Sequence, residues 1–324
     1  MEDKFTLSES QQMAFDYFKG QGFLPVDKSA YPIMKKYDGG DNLLGEMTAT
    51  VAVIWGLEYY ALYKVIGGYM CSIWFLRHDS DYYFEVNRPA KPEYPLADLI
   101  NNLYMQIKAA GLDELHIYAV NEENLPDFCS VQGYDIHTEY SDDHSEFFYK
   151  TEDLINLSGG INANKRSRLK HCFALTDISI VPITKENVAL ALDIQDAWCE
   201  HQECEYCASF AGCERKAIEV MVSIFDEKEK AGLLLYQKDV PVGYIICEQI
   251  NDIVSYVYQG KAIINDFFVY LIYIMYKDYH KDVKYMDLNE DMGHEGIRMF
   301  KRHLSAYELW RKYLLTYKKK EGEN

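Results

Sequence analysis

One order of elements, followed by both halves of the chain, limits its possible folds more than any other feature. A helix is expected over Ser8–Gly20, where Ser8 and Gln11 have the spacing of a capping box. Tyr59–Ile66 and Tyr69–Phe75 read as a hairpin across Gly67-Gly68, a pair suited to a primed turn. Tyr82–Val86 is a third strand, Leu96–Ala110 has helical periodicity and stops at Gly111, and Leu115–Val120 reads as a buried strand. A short helix over Glu122–Gln132 follows, then Tyr134–Tyr140 and Glu146–Lys150 as antiparallel strands. The second half repeats the order. Helices at Asn187–His201 and Glu214–Lys228 precede strand Gly232–Gln237, a Lys238-Asp239 turn, and strands Val242–Gln249 and Ile253–Gln259. Helix Asn265–Tyr279, strand Lys284–Leu288, a further helix and terminal strands complete it. Propensity and pattern give an α+β class, with a mixed, mostly antiparallel sheet flanked by helices in each half.

Two stretches of the second half carry candidate chemistry. In Lys284–Tyr313 the strand ends at Asn289, Glu290 and Asp291, and Gly293 and Gly296 allow a tight turn. In the helix that follows, Ile297, Phe300 and Leu304 share one face, while Arg298 and Lys301 lie together on another. Two cations beside two carboxylates at the end of a buried strand suit an anionic group; a solvated helix face is the alternative. The second stretch holds Lys165, Arg166, Arg168, Lys170 and His171, the densest basic cluster in a chain of formal net charge −18. At a helix start these cations could hold a phosphate or carboxylate, or they could pair with the protein's own acidic surface.

These two stretches resemble the C-terminal domain family of phosphatidylglycerol lysyltransferase. Asn289, Glu290, Asp291, Gly293, Gly296, Ile297, Arg298 and Lys301 follow that family's closing pattern, and Asp153–Phe173 is similar to its earlier lysine-arginine motif, with Lys165 and Arg166 at those positions. The chain departs from the family at Gly160, Ser167, Leu304 and Ala306, and in Tyr258–Ala262, where the family has a histidine and a glutamate. The resemblance implies two tandem GNAT-like acyltransferase domains, 1–155 and 156–324, joined near Thr151–Gly160, with the active site in the second. It also implies an aminoacyl ester donor, such as the 3′ end of aminoacyl-tRNA, and a hydroxyl or amine acceptor. Arg298 and Lys301 are then candidates for stabilising the transition state, and Glu290 or Asp291 for orienting an amine or acting as base. Lys165, Arg166 and Arg168 would bind the anion.

Other readings compete. Acyl-CoA as donor implies a CoA-dependent N-acetyltransferase, yet Gln259-Gly260-Lys261-Ala262 stands where a pyrophosphate-gripping loop would be and has one glycine instead of two. Lys261 remains an anion-binding candidate there. A non-catalytic binding protein on a degenerate acyltransferase fold is the third reading. Cys199, Cys204, Cys207 and Cys213 have only half of a recognised zinc spacing, so Zn²⁺ ligation competes with four small buried thiols.

Composition narrows the partners. A net charge of −18 argues against double-stranded nucleic acid as the main partner. The polar, acidic start and the short longest apolar run, Phe267–Tyr276, predict no signal peptide and no integral membrane association. A cytoplasmic location, reduced thiols and an acceptor other than phospholipid are the corresponding expectations.

Overall fold

Two seven-stranded sheets organise the chain in a computed structural model that describes residues 6–39, 43–75, 82–89, 91–201 and 214–320. In chain order the strands are Leu24–Pro25 (β1), Leu62–Ile66 (β2), Tyr69–Trp74 (β3), Tyr83–Asn87 (β4), Leu115–Val120 (β5), Tyr134–Tyr140 (β6) and Glu146–Lys150 (β7). They continue as Ile178–Pro182 (β8), Lys230–Gln237 (β9), Val240–Gln249 (β10), Val254–Ala262 (β11), Tyr285–Asp287 (β12), Glu308–Trp310 (β13) and Tyr313–Lys319 (β14). The first sheet runs β1-β2-β3-β4-β5-β14-β6 and the second β13-β7-β12-β11-β10-β9-β8.

Each sheet contains the expected antiparallel meander, β2-β3-β4 in one and β9-β10-β11 in the other. The last meander strand then pairs in parallel with a strand reached through a helix. Leu96–Ala109 links β4 to β5, and Asn265–Ile274 lies between β11 and β12. That order, twice over, is the tandem GNAT-like arrangement expected from the sequence. Local chemistry supports it: Ser8 and Gln11 form the capping box, and Gly67 and Gly68 take φ values of 56° and 85°, which glycine adopts without strain.

The strands Tyr134–Tyr140 and Glu146–Lys150 do not pair with each other. β6 pairs with β14, whereas β7 pairs with β12. The two strands differ in burial: β6 is largely exposed beyond Tyr134, while Glu146–Tyr149 of β7 is buried throughout, so β7 needs neighbours covering both faces. Each sheet therefore takes one strand from outside its own half. The compact units are Met1–Asp142 with Trp310–Asn324, and Asp143–Leu309; a cut at 155/156 does not coincide with them. Phe18, Ile73, Phe84, Leu103 and Ile117 are among the core residues of the first unit. Leu169, Leu235, Ile245, Leu271 and Met286 are among those of the second. Among the described residues, no helix is long and apolar enough to cross a membrane.

Candidate functional site

The turn after β12 is held by its own side chains. Asp287 accepts a hydrogen bond from the Asn289 amide at 2.9 Å, and Asn289, Met292 and Gly293 take positive φ values of 68°, 51° and 74°. The Lys301 ammonium lies inside this turn and donates to the carbonyls of Leu288, Asn289 and Glu290 at 2.6, 2.8 and 2.7 Å. It sits 5.3 Å from the centre of the Phe147 ring. Burial pushes the Lys301 amine down to about 8, against the opposing pull of Asp287, Glu290, Asp291 and Glu146. Arg298 grips Asp291 with two hydrogen bonds, 2.8 and 2.7 Å, and also donates to Asp143. Burial alone would raise the Asp291 carboxyl, but the Arg298 guanidinium and the Gly293 amide hold it below its ordinary value. Glu290 lies 3.5 Å from His144 Nδ1.

This geometry corrects the assignment of Arg298 and Lys301 as anion-facing cations. Both are committed to the turn, and Lys301 is 5 % exposed while Ile297, expected to be buried, is 40 % exposed. The helix Glu295–Leu304 is rotated from the orientation read in the sequence. The reason is electrostatic: a run of inward carbonyls and nearby carboxylates can satisfy an ammonium in the core, whereas an isolated buried charge is very costly. Glu290 and Asp291 are brought together with both cations, as parts of one braced turn.

A cavity of about 430 Å³ lies in the same unit. Val269, Met299, Phe300 and Leu304 form its apolar wall, and Asn164, Lys165, Arg168 and His303 supply its polar groups. The helix Ala163–Ala174 places Lys165 and Arg168 three residues apart on one face. Arg168 has a partner in Asp266 at 3.4 Å. Lys165 has none among the described residues: it is 4 % exposed and its Nζ makes no hydrogen bond there. Desolvation lowers its amine to about 8. Burying an ammonium without a partner destabilises the fold, which makes Lys165 a candidate binding group.

The remaining candidates lie elsewhere or serve the scaffold. Arg166 donates to the carbonyls of Leu157 and Gly159, tying down the loop before its helix. Lys261 pairs with Glu214 at 2.9 Å and lies 4.4 Å from the Trp198 ring centre, so it does not line the cavity. Cys204, Cys207 and Cys213 lie outside the described residues; Cys199 is half-buried and accepts from Gln195 Nε2 at 3.4 Å. Among the described residues no three His, Cys, Asp or Glu side chains come together as a metal site.

Sequence reasoning found Lys165 and Arg168 but missed His303, Met299 and Asn164. Met299 and His303 are four apart in the last helix, a spacing that marks a shared face. Once Lys301 is placed inward, that spacing points to the cavity wall.

The sequence profile of the family described as phosphatidylglycerol lysyltransferase, C-terminal, matches residues 46–316. No curated protein matches the chain. Among solved structures, a conserved protein of unknown function from Bacteroides thetaiotaomicron superposes with a TM-score of 0.80 at 17% identity, covering 91% of this chain and 99% of that one. The C-terminal domain of a putative lysylphosphatidylglycerol synthetase from Agrobacterium fabrum gives 0.59 at 12% identity, covering 96% and 92%. L-PGS from Bacillus licheniformis gives 0.58 at 13%, covering 90% and 92%. These identities speak for the fold, and the profile match speaks for descent: the chain belongs to the phosphatidylglycerol lysyltransferase C-terminal family.

Proposed function

We propose that this chain is an aminoacyl-transferring acyltransferase whose reaction site is the cavity of the Asp143–Leu309 unit. Family and fold support an acyltransferase-like role. The observation that carries the assignment of the site is the Lys165 ammonium, nearly buried and without a partner at the cavity. The donor is an aminoacyl ester such as the 3′ end of aminoacyl-tRNA, and the acceptor is an amine or hydroxyl. The acceptor heteroatom forms a bond to the ester carbonyl carbon while the carbon–oxygen bond to the ribose breaks. The acceptor's proton passes to the departing ribose oxygen. Negative charge grows on the carbonyl oxygen along the way, and a cation in a partly dry site stabilises it far better than water does. Lys165, with Arg168 beside it, supplies that charge or holds the anionic group of a bound substrate. The braced turn of Asp287–Gly293 gives the adjoining helix a fixed position, so that Met299 and His303 are held at the cavity.

Donor identity is the direct test. The chain is incubated with aminoacyl-tRNA or with acetyl-CoA in the presence of a small-molecule extract, and acylated products are identified by mass spectrometry. A product carrying an aminoacyl mass is expected. An acetylated product only, or none from either donor, would overturn the reading.

A further inference from the structure

We infer that His303 is the general base of the transfer: its Nε2 takes the proton from the acceptor's amine or hydroxyl as that heteroatom bonds to the ester carbonyl carbon. The same nitrogen then gives the proton to the ribose oxygen as the carbon–oxygen bond breaks, so the ring ends the cycle as it began. This deepens the reading above by assigning its proton transfer to one atom, and it rests on that cavity being the reaction site.

Two observations lead there. The first is a hydrogen bond that fixes which ring nitrogen is bare. His303 Nδ1 lies 2.7 Å from the carbonyl oxygen of Met299, four residues back in the helix Glu295–Leu304. A carbonyl oxygen only accepts, so Nδ1 carries the hydrogen of that bond, and the lone pair of the neutral ring is left on Nε2. The bond ties the ring to its own helix. That helix is anchored in turn by Lys301, which donates to the carbonyls of Leu288, Asn289 and Glu290, so the ring is mounted on a fixed element.

The second observation is the chemistry of the groups around the ring. Val269, Met299, Phe300 and Leu304 have no proton to give or take. Arg168 is a guanidinium, which has no acceptor site and here pairs with Asp266, and the Asn164 amide is not a base. Lys165 serves as the cation in this reading, and an ammonium has no lone pair to offer. Among the described residues lining the cavity, His303 is therefore the one that can accept a proton while Lys165 stays charged. The reaction needs such a group. A hydroxyl is a weak nucleophile until its proton is taken, and an amine that arrives as ammonium cannot attack until it loses one. The His303 side chain is exposed where Lys165 is buried, which leaves it open to an incoming acceptor.

Variants of the full chain are assayed with aminoacyl-tRNA as donor and the small-molecule extract as the source of acceptor. His303→Ala should lower kcat about 10²-fold or more and leave KM for aminoacyl-tRNA unchanged, the usual size of general-base catalysis. His303→Asn separates proton transfer from support of the helix: its side-chain N–H can replace Nδ1 on the Met299 carbonyl, but the amide takes no proton. It should be as slow as His303→Ala. Added imidazole should raise the kcat of His303→Ala about tenfold or more and leave wild type and Lys165→Met unchanged. Arg302→Ala, at the exposed neighbouring position, should keep the wild-type rate. His303→Asn at the wild-type rate with Lys165→Met slow would overturn this inference and leave the assignment of the site standing. Lys165→Met at the wild-type rate, or no aminoacyl product from wild type, would overturn that assignment and this inference with it. Nitrogen NMR of the wild-type chain needs neither donor nor variant. The neutral His303 ring should carry its hydrogen on Nδ1, and a hydrogen on Nε2 would overturn the inference whatever the rates show.

Discussion

Two lysines in one unit have similarly depressed amines and opposite roles. Lys301 and Lys165 are both nearly buried and both lowered to about 8. Lys301 donates to three carbonyls, whereas Lys165 donates to no group among the described residues. Replacing Lys301 with Met leaves those carbonyls and the nearby carboxylates uncompensated, so urea unfolding should show a loss of about 3 kcal/mol or more. Replacing Lys165 with Met removes an unpaired buried amine and should leave stability within about 1 kcal/mol of wild type, or raise it. pH separates the two states of Lys165 further. Its folded value of about 8 lies below the roughly 10.4 of an unfolded lysine, so between them the unfolded chain holds the extra proton. The burial penalty is fully present below pH 8 and lifts as pH rises toward the unfolded value. Unfolding free energy of wild type relative to Lys165→Met should then climb from pH 8 to pH 10, by at most about 1.4 kcal/mol per unit. Arg168 and His303 face the same cavity and are common to both proteins, so their effects cancel. A flat difference would mean that Lys165 is better solvated than its 4 % exposure indicates. Sequence alone placed Lys165 in a basic cluster but could not say which of its cations was buried, because burial depends on what the neighbouring helices bring against it.

At the scale of elements, strand β11 illustrates how one motif can be read two ways. Gln259-Gly260-Lys261-Ala262 occupies the place of a phosphate-gripping loop in sequence, but it continues the strand, paired with β10 through Gly243–Ala262. Gly260 is required by packing: a Cβ there would lie 2.5 Å from the Phe268 ring and 3.3 Å from the Tyr244 carbonyl. Gly260→Ala should cost about 1–3 kcal/mol in chemical denaturation, as the Phe268 helix is forced off the sheet. The meanders, the capping box and the Gly67-Gly68 turn were legible because each depends on residues close in sequence. The facing of helix Glu295–Leu304 was not. Periodicity put Ile297 inward and Lys301 outward, and the three carbonyls that reverse this come from a turn whose shape the periodicity does not encode.

Across the whole molecule, each sheet is completed by a strand from the other half, β14 in the first and β7 in the second. The exchange is hard to read locally because β6 and β7 lie close together in sequence; the one hint is the unbroken apolar run Phe147–Tyr149 of β7, which suits a strand covered on both faces. The exchange has a consequence for dissection. A fragment of residues 156–324 lacks β7 and carries β14 without its partners β5 and β6. That fragment should fail to unfold cooperatively by circular dichroism, while residues 143–309 should do so; equal behaviour of the two would contradict the unit boundaries. The central claim remains that acyl transfer takes place where Lys165 meets the cavity. It is tested most directly by the rate of aminoacyl transfer from aminoacyl-tRNA by wild type, Lys165→Met and Lys170→Met, each checked for folding in the same buffer. The account predicts a fall of about 10²–10³-fold for Lys165→Met at unchanged stability, with Lys170→Met at the wild-type rate. Transfer by Lys165→Met as fast as by wild type would contradict it.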